Sequence, residues 1–295
     1  MGATISNRDA ILKDLYTVKR VEDGTYPEKP LYAMTKKDKK FGGRQKPIPV
    51  IYGQPQTNSA VFTTAQTAAG TSQTSVDSFN LTRVSRFGFA LVSGEVARAT
   101  MGDDEAFVQA MSLEIDKALE SMSKRLAHHL YRAGWGTIGL VGSTGTSDLV
   151  LDSPEDITGV EIGQVHCFAD TESGDTLHDS GATLTVIGVD RDTGTITYDD
   201  TIASVTGLAA GDYIFLDGDR QDSGSPARVC ISGLEAWFPA TAPTSAPFFG
   251  VDRSVDPNRL AGQRKNLASL PLEEVLIKMG TLAGREGGKI THVFM

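Results

Sequence analysis

Residues 103–133, DDEAFVQAMSLEIDKALESMSKRLAHHLYRA, decide how the rest of the chain is read. Phe107, Met111, Ile115, Leu119 with Ala118, Met122, Leu126 and Leu130 step by three and four, so they share one stripe of an α-helix. Gly102, Asp103 and Asp104 supply a cap and an acidic first turn. Lys124, Arg125 and Arg132 fall late, where cations suit the helix dipole, and Gly134 and Gly136 stop the run. The pattern predicts a single helix from Asp103 to Ala133, about 31 residues and ~46 Å long at ~1.5 Å per residue.

What flanks this helix is unlike an ordinary enzyme domain. Before it lies a segment rich in Thr, Ser, Gln, Pro and Gly; after it lies a β-prone, acidic segment. Asn7 to Arg20 reads as a short capped helix. Residues 21–58 carry Pro27, Pro30, Pro47, Pro49 and Pro55, which argue against helix interiors and central strands, so this stretch reads as an extended arm. Residues 60–100 read as a two-stranded excursion. Its strands are Ser59–Thr64 and Ser75–Thr82, its tip is Ala69–Gln73, and Phe87, Phe89 and Leu91 continue the second strand. A lone hairpin is marginal in water and needs something to lie on.

Residues 137–227 change character again. Gly and Asp punctuate the β runs 182–189, 194–198 and 211–216, a spacing that predicts a small β-barrel or sandwich inserted as a domain. From Arg228 the chain turns mixed. Val229–Ile231 reads as a short strand, Pro271–Gly284 as a helix with Leu272, Val275, Leu276 and Met279 on one face, and Ile290–Met295 as a terminal strand.

With 295 residues the chain can hold two modest domains, and its 40% hydrophobic and 22% charged content is ordinary for a globular protein. No apolar run is long enough to span a bilayer, and the first residues resemble no secretory signal. Met1, Gly2 and Ser6 fit a bare myristoylation pattern, but nothing else points to a membrane. Cys167 and Cys230, the two cysteines, form neither a disulfide framework nor metal-ligand spacing, which places folding in a reducing cytoplasm. The net charge of −9 hides a segregation. Residues 1–50 hold 11 Lys or Arg against 6 Asp or Glu, and residues 140–226 hold 17 Asp or Glu against 2 Arg. The plain reading is a solvated acidic face; the sharper one is that the two regions meet different surroundings, one interior and one exterior.

Catalytic and metal motifs are missing. There is no P-loop, nucleophile elbow or His-Glu-x-x-His. His128 and His129 are neighbours on the helix and point about 100° apart, so one is expected to pack and the other to be solvated. His166 and Cys167 are neighbours on a strand and face opposite ways, which argues against a catalytic pair. The turns at Asp190–Gly194 and Asp217–Asp222 lack the Gly and Glu positions of a calcium loop, and turn-forming aspartates account for both. No cofactor is implied. The basic cluster Lys36, Lys37, Lys39, Lys40, Arg44 and Lys46 reads either as a solvated or intersubunit segment or as a contact for nucleic-acid phosphates.

Four collinear stretches carry a resemblance: Phe248–Gly262 (FFGVDRSVDPNRLAG), the lead-in Gly233–Phe238, the barrel pattern Gly194–Leu216, and the terminal Gly287–Met295. Together they resemble major capsid proteins of tailed double-stranded DNA bacteriophages, the Hong Kong 97 type. The resemblance implies an α+β capsid fold: an N-terminal arm (1–53), an extended loop (54–90), a peripheral domain with the spine helix (91–136), an inserted β-rich domain (137–227) and an axial domain (228–295) that continues beyond Met295. It implies a structural protein rather than an enzyme, assembled in the host bacterial cytoplasm into pentamers and hexamers of an icosahedral shell. The expected partners are further copies, a separate scaffolding protein, a portal, decoration or cement proteins, and packaged DNA held without sequence preference, with no membrane. Phe62, Phe79, Arg83 and Arg86 are then candidate assembly contacts, and the basic cluster an interior arm. Some members weld subunits through a loop lysine; no lysine lies between Lys46 and Lys117, so no such cross-link is expected. The alternatives are a compartment shell of the same fold around protein cargo, as in encapsulins, and a ligand-binding β protein with a helical appendage.

Overall fold

The computed structural model describes residues 30–36, 43–91, 104–173, 176–220, 228–265 and 270–293, with helix side chains from Leu113 onward. In chain order these form α1 (Pro30–Met34), β1 (Gln45–Gly53), α2 (Phe62–Thr71), β2 (Ser75–Thr82), α3 (Asp104–His129) and six short strands. The strands are β3 (Thr137–Thr144), β4 (Asp148–Leu151), β5 (Val165–Ala169), β6 (Leu184–Asp190), β7 (Thr195–Tyr198) and β8 (Tyr213–Leu216). Three helices follow: α4 (Leu234–Trp237), α5 (Pro257–Leu260) and α6 (Leu272–Arg285). The result is a mixed α and β chain with one two-stranded sheet and one closed barrel. It divides into two compact units, one bounded by Met1–Lys36 and Ser85–Ile231, the other by Lys37–Val84 and Ser232–Met295. The predicted helix over Asn7–Arg20, Lys37, Lys39 and Lys40, the helix cap at Gly102–Asp103, and the side chains of Phe107 and Met111 lie outside the described residues.

The first unit is built on α3 and the barrel. The helix ends at His129, four residues short of the expected Ala133, because Tyr131 N donates to His128 O and Arg132 N to His129 O, tightening the last turn. Gly134 and Gly136, with φ of 88° and 92°, then turn the chain into β3. The apolar stripe is less covered than its pattern predicts: Ile115 and Leu119 are 41% and 60% exposed within this chain. The face that is buried is polar, with Arg125 and His129 removed from solvent.

The barrel closes in the order β3-β4-β7-β6-β5-β8, all pairs antiparallel. Period-two burial along β4 and β7 sends Leu149, Leu151, Ile196 and Tyr198 inward. They meet Ile138, Phe168, Leu184 and Ile214 in one continuous core, so the interior is filled rather than hollow. Bulges between Val141 and Ser143, Thr137 and Gly139, and Val186 and Gly188 supply the sharp coiling that six short strands need. At Gly142 the approach is close enough that a Cβ would lie 2.9 Å from Asp152 N. The expected barrel-or-sandwich thus resolves as a barrel, and its Asp-rich hairpin end is an Asx turn: Asp190 Oδ1 accepts from Asp192 N at 3.0 Å.

The second unit differs more from the sequence reading. The expected hairpin of 59–64 with 75–82 does not form. Residues 62–71 are the helix α2, and β2 pairs instead with β1, antiparallel from Gln45↔Thr82 to Gly53↔Ser75. Pro47 and Pro49 do not prevent this. Spaced by two, they lack N–H groups on the same edge, and a two-stranded ribbon has an outer edge to place them on. Phe79 of β2 packs with Trp237, Phe248, Val251 and Leu260. Its ring meets Trp237 at 5.3 Å and Phe248 at 6.3 Å, both edge to face. Phe248 and Val251 bridge a tight turn in which Phe249 takes φ 49° and Gly250 φ 94°, and Asn80 N donates to Phe249 O at 2.8 Å. Buried Arg253 donates from Nη1 to Ala236 O at 2.8 Å and lies over the Phe248 ring. Asp256 caps α5 through Arg259 N. Phe248–Gly262, one of the four stretches singled out in the sequence, is therefore the packing centre of this unit. The expected strands at Val229–Ile231 and over the described part of Ile290–Met295, residues 290–293, are irregular, while α6 spans Leu272–Arg285 close to its expected place.

A sharp test of the barrel lies at Gly194, φ 69°, where a Cβ would lie 2.8 Å from Pro154 Cα. Gly194→Ala should lower stability by at least about 1 kcal/mol, read as a lower urea midpoint at unchanged slope; an unchanged midpoint would contradict the packing described.

Candidate functional site

The polar face of α3 leads to a cluster that sequence spacing does not reveal. Arg86, from the segment after β2, places Nη2 3.0 Å from Asp219 Oδ2, Nη1 3.2 Å from His129 Nε2 and Nη1 3.8 Å from Cys230 Sγ. Three stretches far apart in sequence thus converge on one guanidinium. His129 Nε2 therefore faces both the guanidinium and the carboxylate, 3.2 Å from Arg86 Nη1 and 3.7 Å from Asp219 Oδ2.

His129, Asp219 and Cys230 have ligand types that suit a divalent cation, and their ligand atoms lie within 4.8 Å of one another. The Arg86 guanidinium already contacts all three, so the cation position of this trio is taken by the protein's own charge. Cys230 is a thiol: burial, reinforced by Asp219, pushes its pKa up to about 11. Cys167, on the other side of β5 from His166, is pushed up to about 12 by burial. Burial opposes charge on Asp219, but hydrogen bonds with His129 and Arg86 and the neighbouring guanidinium groups outweigh it, so Asp219 is ionised with a lowered pKa.

Three of the histidines, His128, His129 and His166, are held neutral. Burial lowers His128 to about 3, with Arg132, His129 and Arg125 adding to the effect. Burial likewise lowers His129, opposed by Asp219. His166, fully buried, is lowered to about 3 by burial and then by Arg125, and its Nδ1 lies 2.9 Å from the Tyr198 hydroxyl inside the barrel. The expectation that one of His128 and His129 packs and the other is solvated holds for the first half: His129 is buried against Arg86 and Asp219, while His128 is half-buried beside Gly159 of the barrel segment Pro154–Gly159.

Around this cluster α3 and the barrel are joined by charge pairs. Lys124 Nζ meets Glu161 Oε1 at 2.6 Å, Arg132 pairs with Asp156, and Arg132 Nη2 donates to Ile138 O at 2.8 Å. Arg228 lies over Trp135 and donates to Ala133 O, closing the chain onto the helix end.

Of the residues proposed for assembly, Arg86 is half-buried in this cluster, Phe79 is 6% exposed in the core of the other unit, Phe62 is 79% exposed on α2, and Arg83 is exposed. Within the basic cluster the structure describes Lys36 and Arg44 as exposed and Lys46 as half-buried in β1. Sequence reasoning missed Arg125, Asp219 and Cys230. The available signal was Arg125 beside Met122 and Leu126: a cation set into the apolar stripe of α3 needs an internal reason. Comparison of the chain with protein-family models, curated proteins and solved structures finds no match.

Two expectations follow. Asp219→Ala leaves two partly or wholly buried guanidinium groups without the carboxylate that faces them, and should cost about 3–5 kcal/mol in denaturant melts; a loss under about 1 kcal/mol would contradict the cluster's structural role. Because His128 and His166 have folded pKa values of about 3 against an ordinary 6.5, the unfolded chain takes up their protons first as pH falls. Their contribution is complete above about pH 6.5 and is lost toward pH 3, with a slope of up to ~1.4 kcal/mol per pH unit for each. Urea melts between pH 8 and 4 should show this fall, and His166→Gln should flatten it; stability independent of pH from 7 to 5 would contradict the buried neutral histidines.

Proposed function

We propose that the protein is a structural subunit that self-assembles into an icosahedral shell, of the kind formed by major capsid proteins of tailed bacteriophages, and encloses double-stranded DNA. The observation that carries this reading is the β1–β2 ribbon. It is a two-stranded sheet whose outer edges pair with no further strand among the described residues. It exposes Ile51 at 67% and Val76 at 55%, and its connecting helix exposes Phe62 at 79%. Apolar side chains exposed on a thin two-stranded ribbon are a liability for a free monomer and a surface for association with copies of itself.

Other features support the same reading. The segment after β2 exposes Phe87, Phe89 and Leu91 at 80%, 82% and 65%, and α6 exposes Ile277 at 69%. These surfaces come from several separate stretches of the chain, as multivalent assembly requires. The segregation of charge fits a shell wall: the basic N-terminal region suits the DNA side, and the acidic barrel region, repelled by phosphates, suits the outside or the contacts between capsomers. Among the described residues the barrel interior is occupied by packed side chains such as Ile138, Phe168, Ile196 and Ile214, which weighs against a ligand-binding β protein.

Phe62→Asp should leave the folded unit intact, because the side chain is exposed, while reducing assembly by at least tenfold as read by sedimentation velocity alongside an unchanged thermal melt. Particles of wild-type size and yield from that variant would refute the role given to the ribbon.

A further inference from the structure

Within the first unit, α3 and the barrel enclose a pocket of about 160 Å³ that the assembly reading does not use. Lys117, Glu120, Lys124, Arg125 and His128 are among the residues that line it from the helix, and Glu161 from the barrel. Arg125 is 6% exposed, yet its Nη1 and Nη2 atoms have no hydrogen-bond partner. His128 Nε2 is likewise buried without a partner. A buried guanidinium with both terminal nitrogens unsatisfied is costly, since each lost hydrogen bond to a charged donor exceeds that of a neutral one.

The wall charges do not cancel. Lys117 is paired with Glu120 at 2.9 Å and Lys124 with Glu161 at 2.6 Å. The carboxylate nearest to offsetting Arg125, Asp219, is already held by Arg86 at 3.0 Å and lies beside His129. One positive charge therefore remains on the pocket wall, carried by the group whose donors are open.

We propose that this pocket binds a small oxyanion of the phosphate class, free phosphate or the phosphate group of a small phosphomonoester. The planar fork of Arg125 offers two parallel donors that match two oxygens of a tetrahedral anion, while Lys117 and Lys124 neutralise Glu120 and Glu161, which would otherwise repel it. The neutral imidazole of His128 supplies one further polar contact. Bound there, the anion ties α3 to the barrel and stabilises the first unit, whether the chain is free or assembled.

The test is thermal unfolding of the full chain in inorganic phosphate, in glycerol phosphate and in chloride at matched ionic strength. At about ten times the dissociation constant, phosphate should raise the melting temperature by about 3 °C over chloride. A rise with phosphate and none with glycerol phosphate assigns the free anion; equal rises assign the phosphate group of a monoester as well. Arg125→Met should abolish the phosphate-specific rise, and Lys117→Gln with Lys124→Gln, at half-buried positions, should weaken it at least tenfold if the first variant does not fold. An equal response to phosphate and chloride in the wild type, or an undiminished phosphate response in the lysine double variant, would overturn the proposal.

Discussion

The guanidinium of Arg86 is the point on which the first unit depends. It holds together the segment that follows β2, the last turn of α3 and the chain leaving the barrel, through His129, Asp219 and Cys230. Burying these groups carries a desolvation cost that only mutual pairing offsets, so none of the three stretches can shift alone without leaving a charge exposed to a low-dielectric interior. This explains why the buried face of α3 is polar while part of its apolar stripe is not covered. The helix is oriented by charge toward the barrel, and Ile115 and Leu119 are left on the surface.

The barrel was the most legible part of the sequence. Alternation in 195–198, turn glycines and aspartates, and the acidic composition are local signals that tertiary context reinforces, since Ile196 and Tyr198 must point inward wherever the strand pairs. The long helix was legible for the same reason, to within four residues at its C-terminal end. The ribbon was not. Val61-Phe62-Thr63-Thr64 looks β-prone, yet the following Ala65-Gln66-Thr67-Ala68-Ala69 is compatible with helix, and the helix that forms is capped only by backbone: Ser72 N returns to Ala68 O. Pro47 and Pro49 hid β1 because proline argues against strands except at an edge, and only the fold reveals that an edge exists. The Arg86 cluster was illegible for a deeper reason: its members come from three separate stretches, around Arg86, His129 and Asp219–Cys230, and carry no motif.

The same physics connects the interior to the surfaces. A unit whose own core is a small barrel, and another whose core centres on Phe79, Phe248 and Trp237, leave large apolar side chains at the ribbon, the segment after it and α6. A shell subunit has a use for each of them, and its stability is then shared with its neighbours rather than held within one chain.

The most direct measurement is negative-stain electron microscopy of the purified chain. The account predicts rings or closed shells built from many copies. A field of uniform small particles matching a single 31.4 kDa chain at every concentration would contradict it.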